Sequence, residues 1–290
     1  MRTALVSLFL LATVACAPRY RSKESLLSQT VTQGGQTVRV QFWSEDAAAA
    51  EQVVQAIPRA LARLQRWGAL SAPVTVTLYP SHEAFEAAIY REGYGWLRAW
   101  ARYDTIDLQS PRSWSLLVGP SQEDVEELLT HELTHCVMYQ QAGSEWSWPY
   151  KGIPLWFREG MASVAADQGH RRKSPEFIYG FYSSSSPLAG SGDGAGGEPQ
   201  GGTAVRANGD PVSDPEPLYQ SDQEVVYASA HWAFQFLLDR YGMERVRKVL
   251  DEMNAGRLFN AAFQGAIGIA PDEFESDFRK YIVWRGWKEK

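Results

Sequence analysis

Cysteine is nearly absent from this chain of 290 residues, which holds Cys16, Cys136 and no other. Two cysteines cannot build a disulfide framework, and loss or modification of the first leaves one thiol and no internal bridge. Stability must then come from the core, and the length suffices for one large domain or two modest ones. Beyond the N-terminus no run of 18 uninterrupted apolar residues occurs, so no membrane-spanning helix is expected. A long basic run is also missing and the net charge is −6, which argues against a nucleic-acid surface. No internal repeat is present. With 44% hydrophobic and 21% charged residues, the composition is that of a folded, soluble chain.

The N-terminal stretch 1-MRTALVSLFLLATVACAP-18 has a basic start at Arg2, a short apolar segment from Ala4 to Val14, then small residues and Cys16. The pattern is that of an export signal at 1–15, too short to span a bilayer comfortably. It resembles a bacterial lipoprotein signal, which would make Cys16 the lipidated first mature residue. Thr13 departs from the aliphatic residue usual there, and plain secretion with cleavage near Ala15 or Ala17 is the alternative. The expectation is an exported protein anchored by lipid in the bacterial cell envelope.

Residues 16–35 are mostly polar and predict a tether. Over 36–120, alternating and β-branched runs at 36–44, 73–80, 101–111 and 114–120 predict strands. Between them lie a helix over 47–67, with Pro58 expected to kink it, and a helix capped by Ser81. From Ser121 to the end at 290 the pattern is mainly helical. One stretch, 183–217, is dense in Gly, Ser, Pro and Asp and predicts a flexible loop. The expected fold is α+β: a small mixed-sheet N-terminal subdomain, then a mainly helical subdomain, with the functional site expected between them.

Histidine is scarce as well, with five in all, yet two stand four apart in 130-THELTHCVMYQ-140. Ser121 can cap a helix over 122–141 and Gly143 can end it. On that helix His131 and His135 share one face, so their imidazoles can bind a single metal ion. Glu132 lies beside that face. Zinc lowers the pKa of a water it binds, and a nearby carboxylate can take the proton. A third ligand is available in 153-IPLWFREGMASVAAD-167, where Glu159 sits in an otherwise greasy helix and needs a partner if buried. Cys136 points about 100° away from His135 and is expected to be core. His82 and His170 are expected at the surface, and Trp146, Trp148, Tyr150 and Trp156 as packing beside the site.

His-Glu-Leu-Thr-His, with 23 residues separating His135 from Glu159 in Trp-Phe-Arg-Glu-Gly, resembles the gluzincin zinc metallopeptidases. It is most similar to the bacterial peptidase MA-like proteins. The resemblance covers roughly residues 73–285. It implies His131, His135 and Glu159 as zinc ligands and Glu132 as general base and acid, acting on a peptide or protein substrate. It also implies that the strand around Ile106–Leu108 is the sheet edge against which an extended peptide pairs. Tyr227, or His231 one turn further on, is the implied oxyanion stabiliser. Many gluzincins orient a zinc-bound histidine with an Asp four residues after the glutamate ligand. Here that position is Ser163, so the support must come from elsewhere, with Asp167 a distant candidate. Two readings follow: a zinc-dependent endopeptidase-like hydrolase of the envelope, or a non-catalytic envelope lipoprotein using the fold as a scaffold or binding module.

Overall fold

The computed structural model describes residues 26–115, 118–184, 209–219 and 221–284. The expected signal at 1–15, Cys16 and most of the expected loop at 183–217 lie outside these residues.

The chain is α+β, with a five-stranded mixed sheet followed by a mainly helical region. Strands β1 (Leu27–Gln33) and β2 (Gln36–Phe42) form a hairpin. Its two-residue turn, Gly34–Gly35, has positive φ at both positions (57° and 80°), which glycine adopts without strain. This strand corrects the expected tether: residues 27–33 are ordered against β2. Helix α1 (Ala47–Leu64) then crosses to β3 (Val74–Tyr79), which runs parallel to β2. Pro58 does not divide α1. Buried Ala56, Ile57, Ala60 and Leu61 hold the helix to the sheet through the proline.

Helix α2 (His82–Ile89) opens at Ser81, whose hydroxyl accepts from the Ala84 N–H at 3.2 Å. The next segment, expected as one strand over 101–111, is a hairpin of β4 (Ala99–Ala101) and β5 (Thr105–Gln109) closed by Arg102 N–H donating to the Thr105 carbonyl at 2.7 Å. The sheet order is β1-β2-β3-β5-β4. The strand expected at 114–120 is not found: Trp114, Ser115 and 118–120 are not extended, and residues 116–117 lie outside those described.

Helix α3 (Gln122–Ala142) carries the histidine motif. It starts with a reciprocal capping box between Ser121 and Asp124 and ends at Gly143. Almost every residue from Val125 on is buried, so α3 is enclosed on all sides. Several of its buried polar groups have clear partners. The Thr130 and Thr134 hydroxyls donate to the carbonyls of Glu126 and Thr130, both at 2.7 Å. Gln140 accepts from the Ser71 and Ala72 N–H groups at 2.7 and 2.9 Å.

Six further helices complete the described fold: α4 (Leu155–Ala165), α5 (Pro175–Ser184), α6 (Gln223–Tyr241), α7 (Met243–Asn254), α8 (Phe259–Ile267) and α9 (Pro271–Trp284). The main hydrophobic core runs from Val38 and Val76 in the sheet through Leu133 and Val137 of α3 to Phe234 and Phe278, with a small second cluster at Leu218, Val225 and Val226. The two expected subdomains therefore share one core. No described helix is long and apolar enough to cross a membrane.

Helix α4 meets α6 at Gly160. A Cβ there would lie 2.3 Å from the Ala230 carbonyl oxygen and 2.5 Å from Phe234 Cβ. Glycine is thus required beside Glu159, because the two helix backbones touch. Gly160→Ala is expected to cost about 2 kcal/mol through overpacking and to displace Glu159. Urea unfolding and a zinc titration of the variant check both effects.

Candidate active site

Helix α3 sets His131 and His135 one turn apart, and α4 brings Glu159 against them. His131 Nε2 lies 3.4 Å from one Glu159 carboxylate oxygen, and His135 Nε2 lies 3.7 Å from the other. One ligand atom from each of the three residues falls within 4.8 Å of the others. These separations are long for hydrogen bonds. They are close to the edges of a tetrahedron around zinc, about 3.3 Å for the usual bond lengths. The donor types also suit zinc, and the residues present fit that ion.

Protonation states agree with the fit. Burial holds His135 well below the ordinary imidazole range, so it is neutral. Burial works against ionisation of Glu159, but the two imidazoles and Arg158 outweigh it and keep the carboxylate charged. A neutral imidazole and an ionised carboxylate are the forms a metal binds. Glu132 faces the same cleft and is 6% exposed. Burial is the main cause that pushes its carboxyl up to about 7; the Ala101 N–H, which donates to it, works in the other direction.

The orienting group that sequence reasoning could not place is Gln168. Its side-chain oxygen sits 3.0 Å from His131 Nδ1, in position to accept the ring N–H and leave Nε2 free for a metal. Asp167, the candidate suggested by position, does not make this contact. It adopts a left-handed conformation (φ 59°) just past α4 and turns the chain so that Gln168 swings back to the site. Arg172 donates to the same Gln168 oxygen at 2.5 Å and, through Nε, to Ser163 Oγ at 3.0 Å. Ser163 also contacts His231 Nδ1 at 3.0 Å. The position that often carries an Asp therefore joins α4, α6 and the Gln168 turn. His135 Nδ1 is buried with no hydrogen-bond partner among the described residues.

Tyr227 and His231 take different places. Tyr227 lines a cleft of about 380 Å³ together with His131, Glu132, His135 and Glu159. Its hydroxyl is 2.9 Å from that of Tyr219, and burial keeps it protonated by raising its pKa well above the ordinary value. His231 is buried in the α4–α6 contact behind the cleft, and burial with nearby Arg172 lowers its pKa to about 4.

The sheet edge corrects another expectation. Strand β5, with Ile106–Leu108, is internal, and the edge is β4, which folds back along it. The Arg98 carbonyl and the Arg102 N–H face β5, accepting from Gln109 N–H and donating to the Thr105 carbonyl, and Trp100 pairs with Asp107 between them. By alternation the N–H groups and carbonyls of Ala99 and Ala101 face the cleft, as the contact of Ala101 with Glu132 requires.

No protein-family model and no curated protein sequence matches the chain. Among solved structures, its fold is similar to aminopeptidase A of Legionella pneumophila in complex with aspartic acid (11% identity, TM-score 0.47, covering 88% of this chain and 27% of that one). It is similar also to two structures of an M1 zinc metallopeptidase from Deinococcus radiodurans, one of them a mutant. These have 14% and 15% identity and TM-scores of 0.47 and 0.42, cover 89% and 91% of this chain, and 52% and 53% of theirs. The chain thus spans between about a quarter and about half the length of these structures.

Cys136 is core, with its thiol directed at the Arg102 carbonyl at 3.2 Å. The four aromatics divide. Trp156 is buried and stacks on Phe274, while Trp148 stacks on Tyr139, which in turn lies parallel to His135 in the cleft. Trp146 and Tyr150 are exposed. His170 is exposed, but His82 is partly buried between Gln109 and Glu86.

Replacing Gln168 with Ala removes the hydrogen bond that fixes the His131 ring. Zinc affinity is expected to fall about tenfold or more, as read by competition with a chromogenic chelator, while the helical circular-dichroism signal stays unchanged.

Proposed function

We propose that this chain is a zinc-dependent endopeptidase-like hydrolase of the bacterial envelope. The observation that carries the reading is the convergence of His131, His135 and Glu159, with buried Glu132 beside them, on a cleft bordered by a free sheet edge. Zinc held by the three residues supplies a Lewis acid that acidifies water and polarises a carbonyl. An extended substrate adds alongside β4, pairing with the backbone groups of Ala99 and Ala101. Glu132 takes a proton from the attacking water at its carboxylate and passes it to the leaving nitrogen. Its raised pKa suits a group that must both accept and release a proton near neutrality. Tyr227, protonated and in the cleft wall, is the hydroxyl donor for the developing oxyanion. His231 keeps α4 and α6 together rather than facing substrate.

Wild-type protein loaded with zinc is expected to cleave casein or unstructured peptides. Glu132→Gln should lower the rate about a thousandfold with zinc stoichiometry unchanged. Equal activity in the two proteins would remove the mechanism. Zinc bound without turnover in the wild type, together with a large loss of melting temperature on chelation, would favour the scaffold reading.

Placement in the envelope rests on the 1–18 stretch and Cys16. Cys16→Ser is expected to move the protein from the membrane fraction to the soluble exported fraction. Retention in the membrane fraction would refute the lipid anchor.

A further inference from the structure

The cleft carries more positive charge than its own acids answer. Among its lining residues, Arg171 pairs with Asp124 and Glu127, Arg102 with Asp107, and Lys173 with Glu224. Arg98, Arg158 and Arg172 make no ion pair within 4 Å among the described residues. Arg98 donates to the Gly95 carbonyl and to the Gln109 side-chain oxygen. Arg172 is nonetheless occupied: Nε and one terminal nitrogen bind Ser163 and Gln168, and its face rests on the Tyr227 ring at 5.3 Å. Arg158 has one side-chain partner, the Tyr139 hydroxyl, and its Nε is sealed from solvent with no acceptor. Glu159, the next residue, is the acid that acts on its charge. With Glu159 engaged by a dication, three guanidiniums and the ion confront only Glu132 and Glu159, an excess of three positive charges.

Arg158 is half-buried in the cleft wall, and a guanidinium that makes no ion pair gains from an anion docking against its planar fork. We infer that Arg158 is a substrate-binding residue that receives a carboxylate, so that the peptides this cleft takes carry a carboxylate close to the scissile bond. This deepens the peptidase reading above and rests on it. The carboxylate has two sources, a free peptide C-terminus or an Asp or Glu side chain. Either places two oxygens against the fork in the same way. Its position beside Tyr139, which lies against His135, puts Arg158 on the His135 side of the triad, away from the Gln168 and Arg172 side.

The test measures binding rather than turnover. Zinc-loaded Glu132→Gln protein, full chain, is titrated calorimetrically with alanine pentapeptides in matched pairs. One pair has a free or an amidated C-terminus. The others, all amidated, have Glu or Gln at each internal position in turn. At least one carboxylate peptide is expected to bind about tenfold tighter than its amide partner. Adding Arg158→Met should shrink that gap to less than about twofold, with zinc stoichiometry retained. The pair that shows the gap identifies the source. No binding by any carboxylate peptide, equal binding within every pair, or a gap that survives Arg158→Met would overturn the inference. The last result would mean that the metal itself takes the carboxylate. If the methionine variant does not fold, Arg158→Lys decides: loss of most of the gap supports the fork, and an unchanged gap overturns it. Failure of the peptidase reading shows separately, as zinc-loaded wild-type protein that binds these peptides and cleaves none.

Discussion

The site depends on the burial of a polar helix. Helix α3 has Glu126, Glu127, Thr130, His131, Glu132, Thr134, His135 and Gln140 out of solvent, and each such group is costly unless it finds a partner. Half of these eight find local or structural partners: threonine hydroxyls bonded one turn back, Gln140 tying down the 71–72 loop, and Arg63 and Arg59 on Glu126. Two more, His131 and His135, belong to the triad and face Glu159 at distances too long to satisfy them. A helix so thoroughly embedded cannot tilt or fray to relieve that mismatch, and this is what makes the triad a candidate site for an ion.

Glu159 depends in turn on how near α4 lies to α6. That approach is set by Gly160, where backbone meets side chain with no room for one more carbon. The glycine after the ligand is therefore a packing requirement with a chemical result: it fixes how far the carboxylate extends toward the histidines.

Much of this was legible in the sequence. The His-x-x-x-His spacing belongs to helical geometry, which is local, and a lone glutamate in an apolar helix signals an unmet need that is also local. The late helices were readable from their apolar periods and glycine stops. Four features were not. The edge strand is three residues long, too short for alternation to register, and the 101–111 run hid the turn that splits it. Gln168 lies nine residues past Glu159 and reaches His131 only because Asp167 adopts a left-handed conformation that no pattern announces. Arg158 carries no signal in the sequence, since whether an arginine meets an acid is decided by elements far away in the chain. Tyr227 and His231 share a helical face in sequence, and only the placement of α4 shows which one reaches the cleft wall.

The unbroken core also bears on how the cleft works. Metallopeptidase clefts set between independently packed lobes can widen by hinge motion, because little apolar surface crosses the hinge. Here Leu133 and Val137 of the ligand helix are packed into the same core as Val38 and Val76 of the sheet, so spreading the walls would expose that core to water. The gap between β4 and the triad is accordingly a fixed gauge. On the proposed function, such a gap would admit chain already extended or locally unfolded and turn away folded proteins by thickness, before any side chain is examined.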